Sequence, residues 1–128
     1  MRDVTELVDR YVGVWNEPDP AARRRTIASL WSKDGVTLAK STENCARGYE
    51  AIEARVMNAH QKWVRDAGFV FPSRSNVDTH NGVVKFGWEM VPAAGGKAEA
   101  TGVNVFVLDD DGRIRVDYMF SDPDPAQP

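Results

Sequence analysis

The chain has 128 residues, of which 42% are hydrophobic and 27% charged, with a net charge of −3 and one cysteine. That length and composition fit one globular domain with a core of its own. The lack of a basic excess excludes the footprint of a nucleic-acid or anionic-membrane binder, no run approaches the ~20 apolar residues of a membrane span, and Cys45 cannot close an internal disulfide.

The opening MRDVTELVDRY is polar and acidic where a secretory leader needs an apolar run, so the expected location is the cytoplasm. Val4, Leu7, Val8, Tyr11, Val12 and Trp15 repeat at helical spacing and predict a first amphipathic helix. Pro18 and Pro20 stop it. Asp19 is placed to cap a second helix whose apolar side is Ile27, Leu30 and Trp31, and the run Arg23 to Arg25 reads as a solvated face. Val36 to Ala39 predicts a short strand. A third helix from about Tyr49 puts Ile52, Val56, Ala59, His60, Trp63 and Val64 on one face and stops at Gly68.

Beyond Gly68 the period changes to that of strands. Asn81-Gly82 predicts a type I′ hairpin turn, which sets His80 opposite Val83, Asp78 opposite Lys85 and Arg74 opposite Glu89. Val77, Thr79, Val84, Phe86, Trp88 and Met90 then form the inner face. Residues 98 to 108 make a long strand, DDDG a turn, and Arg113 to Phe120 the last strand, with Asp117 expected to point outward beside Arg113 and Arg115. The domain is expected to span residues 1–121, with 122–128 as a proline-rich tail. This is an α+β order: three N-terminal helices, then a mostly antiparallel sheet. The long strand is apolar on both faces, and helices cover only one, so a homodimer through the sheet is expected.

The order of elements, with the words RYVGVWN, LWSKDGVTL, RGYEAI and DDDGRI, resembles the NTF2-like superfamily, in particular its SnoaL-like and ketosteroid isomerase-like branches. The resemblance covers the chain up to Phe120. It implies a cone of three helices packed on a curved sheet, an apolar pocket between them, and frequently a dimer; function varies widely within such a fold. The isomerase route needs a carboxylate base and an oxyanion hole made by a tyrosine and a neutral carboxylic acid. By the resemblance Tyr11 takes the place of the tyrosine, Asn104 that of the acid and Ala39 that of the base, and a methyl group takes no proton.

His60 therefore enters as the stand-in proton carrier, being the histidine expected to face inward; the alternative is a satisfied core histidine. Tyr11 is either a pocket donor or a core tyrosine bonded to backbone. Asn104, an amide in a valine-rich strand, needs its donors and acceptor used, by a ligand, a core water or Tyr11. Trp15, Trp63, Phe86, Trp88, Phe106 and Tyr118 either line the pocket or are plain core. Two histidines and one cysteine without ligand spacing give no zinc site, AAGGKAE is no phosphate loop, and no cofactor is expected. Two functions follow: a pocket protein acting on a small apolar ligand with a carbonyl or hydroxyl group by isomerase-, cyclase- or dehydratase-type proton transfer, or a non-catalytic binding or dimerisation module that has lost the base.

Overall fold

The computed structural model describes residues 4–73 and 76–122. Helix α1, Val4–Asn16, buries Leu7, Val8, Tyr11, Val14 and Trp15, the face that its helical periodicity dictates. Asp19 caps α2, Pro20–Leu30, by accepting from the Ala21 N–H, and Pro20 fills the first turn where its missing N–H has no role. Trp31 is not the end of that helix. Its backbone is extended and it opens strand β1, Trp31–Leu38, fully buried. Arg23 departs from the solvated-face reading too: it is buried and donates to the Pro18 carbonyl, while Arg24 and Arg25 are exposed.

Strand β2, Ala46–Arg47, pairs with β1, and α3, Gly48–Ala59, follows. The continuation of α3 from His60 to Asp66 is a π-helix, which rotates the side chains beyond His60 relative to a uniform helical face. Gly68, at φ +77, ends it. Then come β3 (Phe69–Val70), β4 (Asp78–His80), β5 (Val83–Pro92), β6 (Ala100–Leu108) and β7 (Ile114–Ser121). The sheet runs β2-β1-β7-β6-β5-β3, with β4 also on β5, and is antiparallel except for the parallel pair β1·β7. It is curved and unclosed, with the helices packed on it.

The β4–β5 hairpin has the register that Asn81-Gly82 dictates: His80 opposes Val83 and Asp78 opposes Lys85, and both turn residues have positive φ. Arg74, expected opposite Glu89, and the tail beyond Asp122 lie outside the described residues. No helix among them is long and apolar enough to cross a membrane.

Two irregularities decide where side chains point. Between the pairs Val107·Val116 and Leu108·Ile114 the last strand carries one extra residue, a β-bulge at Arg115. The bulge reverses the alternation beyond it. Asp117 and Met119 therefore face inward, opposite Phe106 and Asn104, while Tyr118 and Phe120 face outward. On β1, residues 32–35 make an excursion between the pairs Trp31·Ile114 and Val36·Val116. The Ser32 hydroxyl anchors it on the Asp109 carboxylate. Gly35 closes it where a Cβ would lie 2.9 Å from both the Ile114 carbonyl oxygen and the Trp31 ring. Gly35→Ala should accordingly cost about 1–3 kcal/mol through overpacking. Urea unfolding measures it, and an unchanged midpoint would overturn this account of the excursion.

Candidate active site

The inward side chains of β6 pass from large to small along the strand, with Leu108 and Phe106 at one end, then Asn104, and Gly102 and Ala100 at the other. Those of β7, Ile114, Asp117 and Met119, end on the small Ser121. At the wide end of this taper a cavity of about 480 Å³ opens, within the usual range for small-molecule sites. Trp15, Trp63, Phe71, Phe86, Trp88, Met90 and Met119 supply its apolar wall, and Tyr11 and Asn104 are among its polar lining. Asn16 fastens Phe71 in place through two main-chain hydrogen bonds, accepting from its N–H at 2.8 Å and donating to its carbonyl at 3.0 Å. A Cβ on Gly102 would lie 2.2 Å from the Trp88 ring, so the glycine makes the space that this indole occupies.

Below the cavity floor lies a fully buried carboxylate, Asp117. Tyr11 donates to its Oδ2 at 2.6 Å, Thr37 to the same oxygen at 3.0 Å, and Asn104 Nδ2 to Oδ1 at 2.8 Å. Asn104 Nδ2 also donates to the Tyr11 hydroxyl at 2.8 Å, and its Oδ1 accepts from the Trp88 indole at 2.8 Å. Because an indole N–H only donates, Trp88 fixes which way the amide faces, and both amide hydrogens are then used inside the network. The Tyr11 ring is held by those of Phe106, Trp31, Phe86 and Trp15 at centroid distances of 4.8 to 6.0 Å.

Burial pushes the Asp117 carboxyl up to about 6, against the opposing pull of the Tyr11, Thr37 and Asn104 donors and of the Arg55 charge. Burial, and then the charge and hydrogen bond of Asp117, hold the Tyr11 phenol well above its ordinary range. The buried Trp15 indole N–H works weakly against that rise without meeting a hydrogen-bond partner.

The expected site residues divide. Tyr11, Asn104, Trp15, Trp63, Phe86 and Trp88 all border the cavity. Phe106 does not: it is fully buried behind Tyr11 as core. Tyr118 is 41% exposed on the outer face, turned there by the bulge. His60 is outside the cavity lining. It is buried where the π-helix meets the end of α1, beside the main chain of Asn16, and its pKa is lowered by burial and then by the Arg23 and Arg65 charges. Asp117, expected outward, is the inward carboxylate, and no residue type at Arg115 marks the bulge that turns it. Arg55 is a second group the sequence did not single out. It lines the cavity from α3, with its guanidinium 5.2 Å over the Trp15 ring. Among the described residues no three His, Cys, Asp or Glu side chains converge as a metal site.

No family model matches the chain and no curated protein matches it. Solved structures do. A candidate isomerase of the SnoaL-like family from Agrobacterium tumefaciens is 25% identical, with a TM-score of 0.82 over 93% of this chain and 97% of that one. A candidate polyketide cyclase from Sinorhizobium meliloti is 16% identical, with a TM-score of 0.66 over 89% and 93%. A candidate ketosteroid isomerase from Kribbella flavida is 13% identical, with a TM-score of 0.68 over 96% and 80%. The chain thus has the NTF2-like fold in its SnoaL-like and ketosteroid isomerase-like form.

The raised pKa of Asp117 has a consequence for stability. The folded state holds this proton more tightly than the unfolded chain, so the associated stability is complete below about pH 4 and is lost as pH rises through about 6, by about 3 kcal/mol in all. Asp117→Asn keeps the shape and can donate to the Tyr11 and Thr37 oxygens. Urea unfolding should find the variant less sensitive to pH than wild type between pH 4 and 8, with its advantage greatest at pH 8. A constant offset at every pH would contradict the assignment.

Proposed function

We propose that this NTF2-like chain binds a small ligand with an apolar body and a carbonyl or hydroxyl oxygen, and moves a proton on it through the pair Tyr11 and Asp117. The observation that carries the reading is the buried Asp117 carboxylate hydrogen-bonded at 2.6 Å to a tyrosine of the cavity wall. Asp117 does not border the cavity, and Tyr11 does. The two act as one acid–base unit. As the phenol oxygen takes a proton from the ligand, the phenol hydrogen passes to Asp117 Oδ2, and the reverse step returns a proton to the ligand. With Asp117 protonated, its O–H can donate to the phenol oxygen, leaving the Tyr11 O–H free to turn to a ligand oxygen. A pKa near 6 makes both states accessible close to neutral pH.

One observation favours the second reading, a binding pocket without chemistry. While Asp117 is ionised, the Tyr11 hydrogen and both Asn104 amide hydrogens are engaged within the network, so neither residue presents a free donor to a developing oxyanion.

A homodimer through the sheet is the accompanying proposal. Val103, Val105 and Val107 face outward opposite Phe120, Tyr118 and Val116, and Tyr118 and Phe120 are 41% and 47% exposed. This forms one continuous apolar patch, larger than the valine face of β6 alone because the bulge adds two aromatic rings to it.

Hydrogen–deuterium exchange at the α-carbon of a panel of cyclic ketones, followed by NMR, tests the chemistry. Asp117→Asn and Tyr11→Phe should each lower the exchange rate by ~10²-fold or more. The relay starts from ionised Asp117, so wild-type kcat/KM should rise with pH through about 6. Binding of these ketones with no exchange above background would leave the binding pocket as the better account. For the assembly, Val105→Glu should turn a micromolar dimer into monomer in sedimentation velocity, because a dimer would have to desolvate the new carboxylate, and Lys85 opposite it, at the centre of the patch. A monomeric wild type would remove the dimer.

A further inference from the structure

The charged side chains of the cavity lining are Lys40 and Arg55, both positive. Lys40 is exposed, whereas Arg55 is half-buried and fixed in place: its Nε donates to the Asn44 carbonyl at 3.2 Å and its guanidinium lies over the Trp15 ring. That leaves the terminal nitrogens of the fork without a hydrogen-bond or ion-pair partner among the described residues. The carboxylate of Asp117 acts on Arg55 through its charge and not through contact. The buried Trp15 indole N–H, on the same wall, is unpaired as well. What is unfilled at this end of the cavity is therefore donor and cationic.

A half-buried guanidinium is poorly hydrated, and burial lowers its pKa, so an anion that restores its lost hydrogen bonds gains more here than at an open surface. A planar fork with one edge occupied and the terminal nitrogens free matches the two oxygens of a carboxylate. We propose that the ligand of this cavity is a monocarboxylate: an apolar, ring-sized body against Phe71, Phe86, Trp88 and Met90, with its carboxylate on Arg55 and Lys40 at the side. The inference rests on the reading of the cavity as a ligand pocket and adds the class of compound that it selects.

The test separates the two. The uncharged fluorescent probe N-phenyl-1-naphthylamine reports on the pocket itself, and 2-naphthylacetate and 2-naphthylacetamide, which share one body, compete for it. With wild-type protein at pH 8 the acid should displace the probe at a concentration on the order of tenfold lower than the amide. Arg55→Met should abolish that preference by weakening the acid alone, and Arg55→Lys should keep part of it. Probe binding with no preference for the acid, or a preference that survives Arg55→Met, overturns the carboxylate assignment and leaves the pocket standing. Failure of the probe to bind wild type removes the pocket reading and this inference with it. The wild-type comparison of acid with amide decides even if Arg55→Met does not fold.

Discussion

A carboxylate removed from water imposes the strongest constraint on this structure. Burying an ionised group costs several kcal/mol unless hydrogen bonds replace its hydration, and Asp117 obtains them from three separate elements: Tyr11 on α1, Thr37 on β1 and Asn104 on β6. Those donors must converge on two oxygen atoms, which fixes the height of α1 over the sheet and the parallel register of β1 on β7. The replacement is incomplete, and the residual cost appears as the pKa near 6. The network that ties the helix layer to the sheet therefore also holds a proton that can be exchanged near neutrality.

Core and cavity are two ends of one taper. Where the inward residues are Leu108, Phe106 and Ile114, Trp31 and the aromatic rings around Tyr11 fill the space between helices and sheet. Where they shrink to Gly102, Ala100 and Ser121, nothing as large replaces them, and the helices cannot close down because Asp117, Asn104 and Tyr11 hold the layers at a set distance. Trp15 stands at the division. Its ring packs on Tyr11, and it also borders the open space beneath Arg55. The two tryptophans that end similar apolar stretches thus do different work, Trp31 inside the core and Trp15 on the cavity wall.

The parts legible in the sequence are those with local causes. The hairpin register follows from the positive φ that Asn81-Gly82 supplies, the buried face of α1 from its spacing, and the start of α2 from Asp19 and Pro20. Six of the nine expected site residues border the cavity, and for all but Trp63, which lies in the π-helix, the reason is the same: their faces are set by uninterrupted periodicity. What was not legible depends on breaks in periodicity that no residue marks. Carrying strict alternation across the bulge at Arg115 points Asp117 outward and Tyr118 inward, and both are reversed. His60 keeps the α-helical period and is buried as its spacing predicts, but its ring meets the end of α1 at Asn16 and not the cavity. Arg55 was hidden differently, because an arginine on a helix usually reads as surface and only the neighbouring Trp15 and Asn44 turn it into a wall.

The two groups that the sequence hid are electrically connected. The Arg55 charge favours the ionised form of Asp117, and the Asp117 charge in turn favours the protonated form of Arg55. A carboxylate seated on Arg55 would offset that positive field, and its own negative charge would oppose the one on Asp117. Ligand binding would then raise the proton affinity of Asp117, and by the reciprocity of linked equilibria protonation of Asp117 would tighten binding by the same free energy. A protonated Asp117 can donate to the phenol oxygen of Tyr11, which frees the phenol hydrogen toward the cavity. The charge that holds the ligand would in this way also favour the state in which Tyr11 offers it a proton.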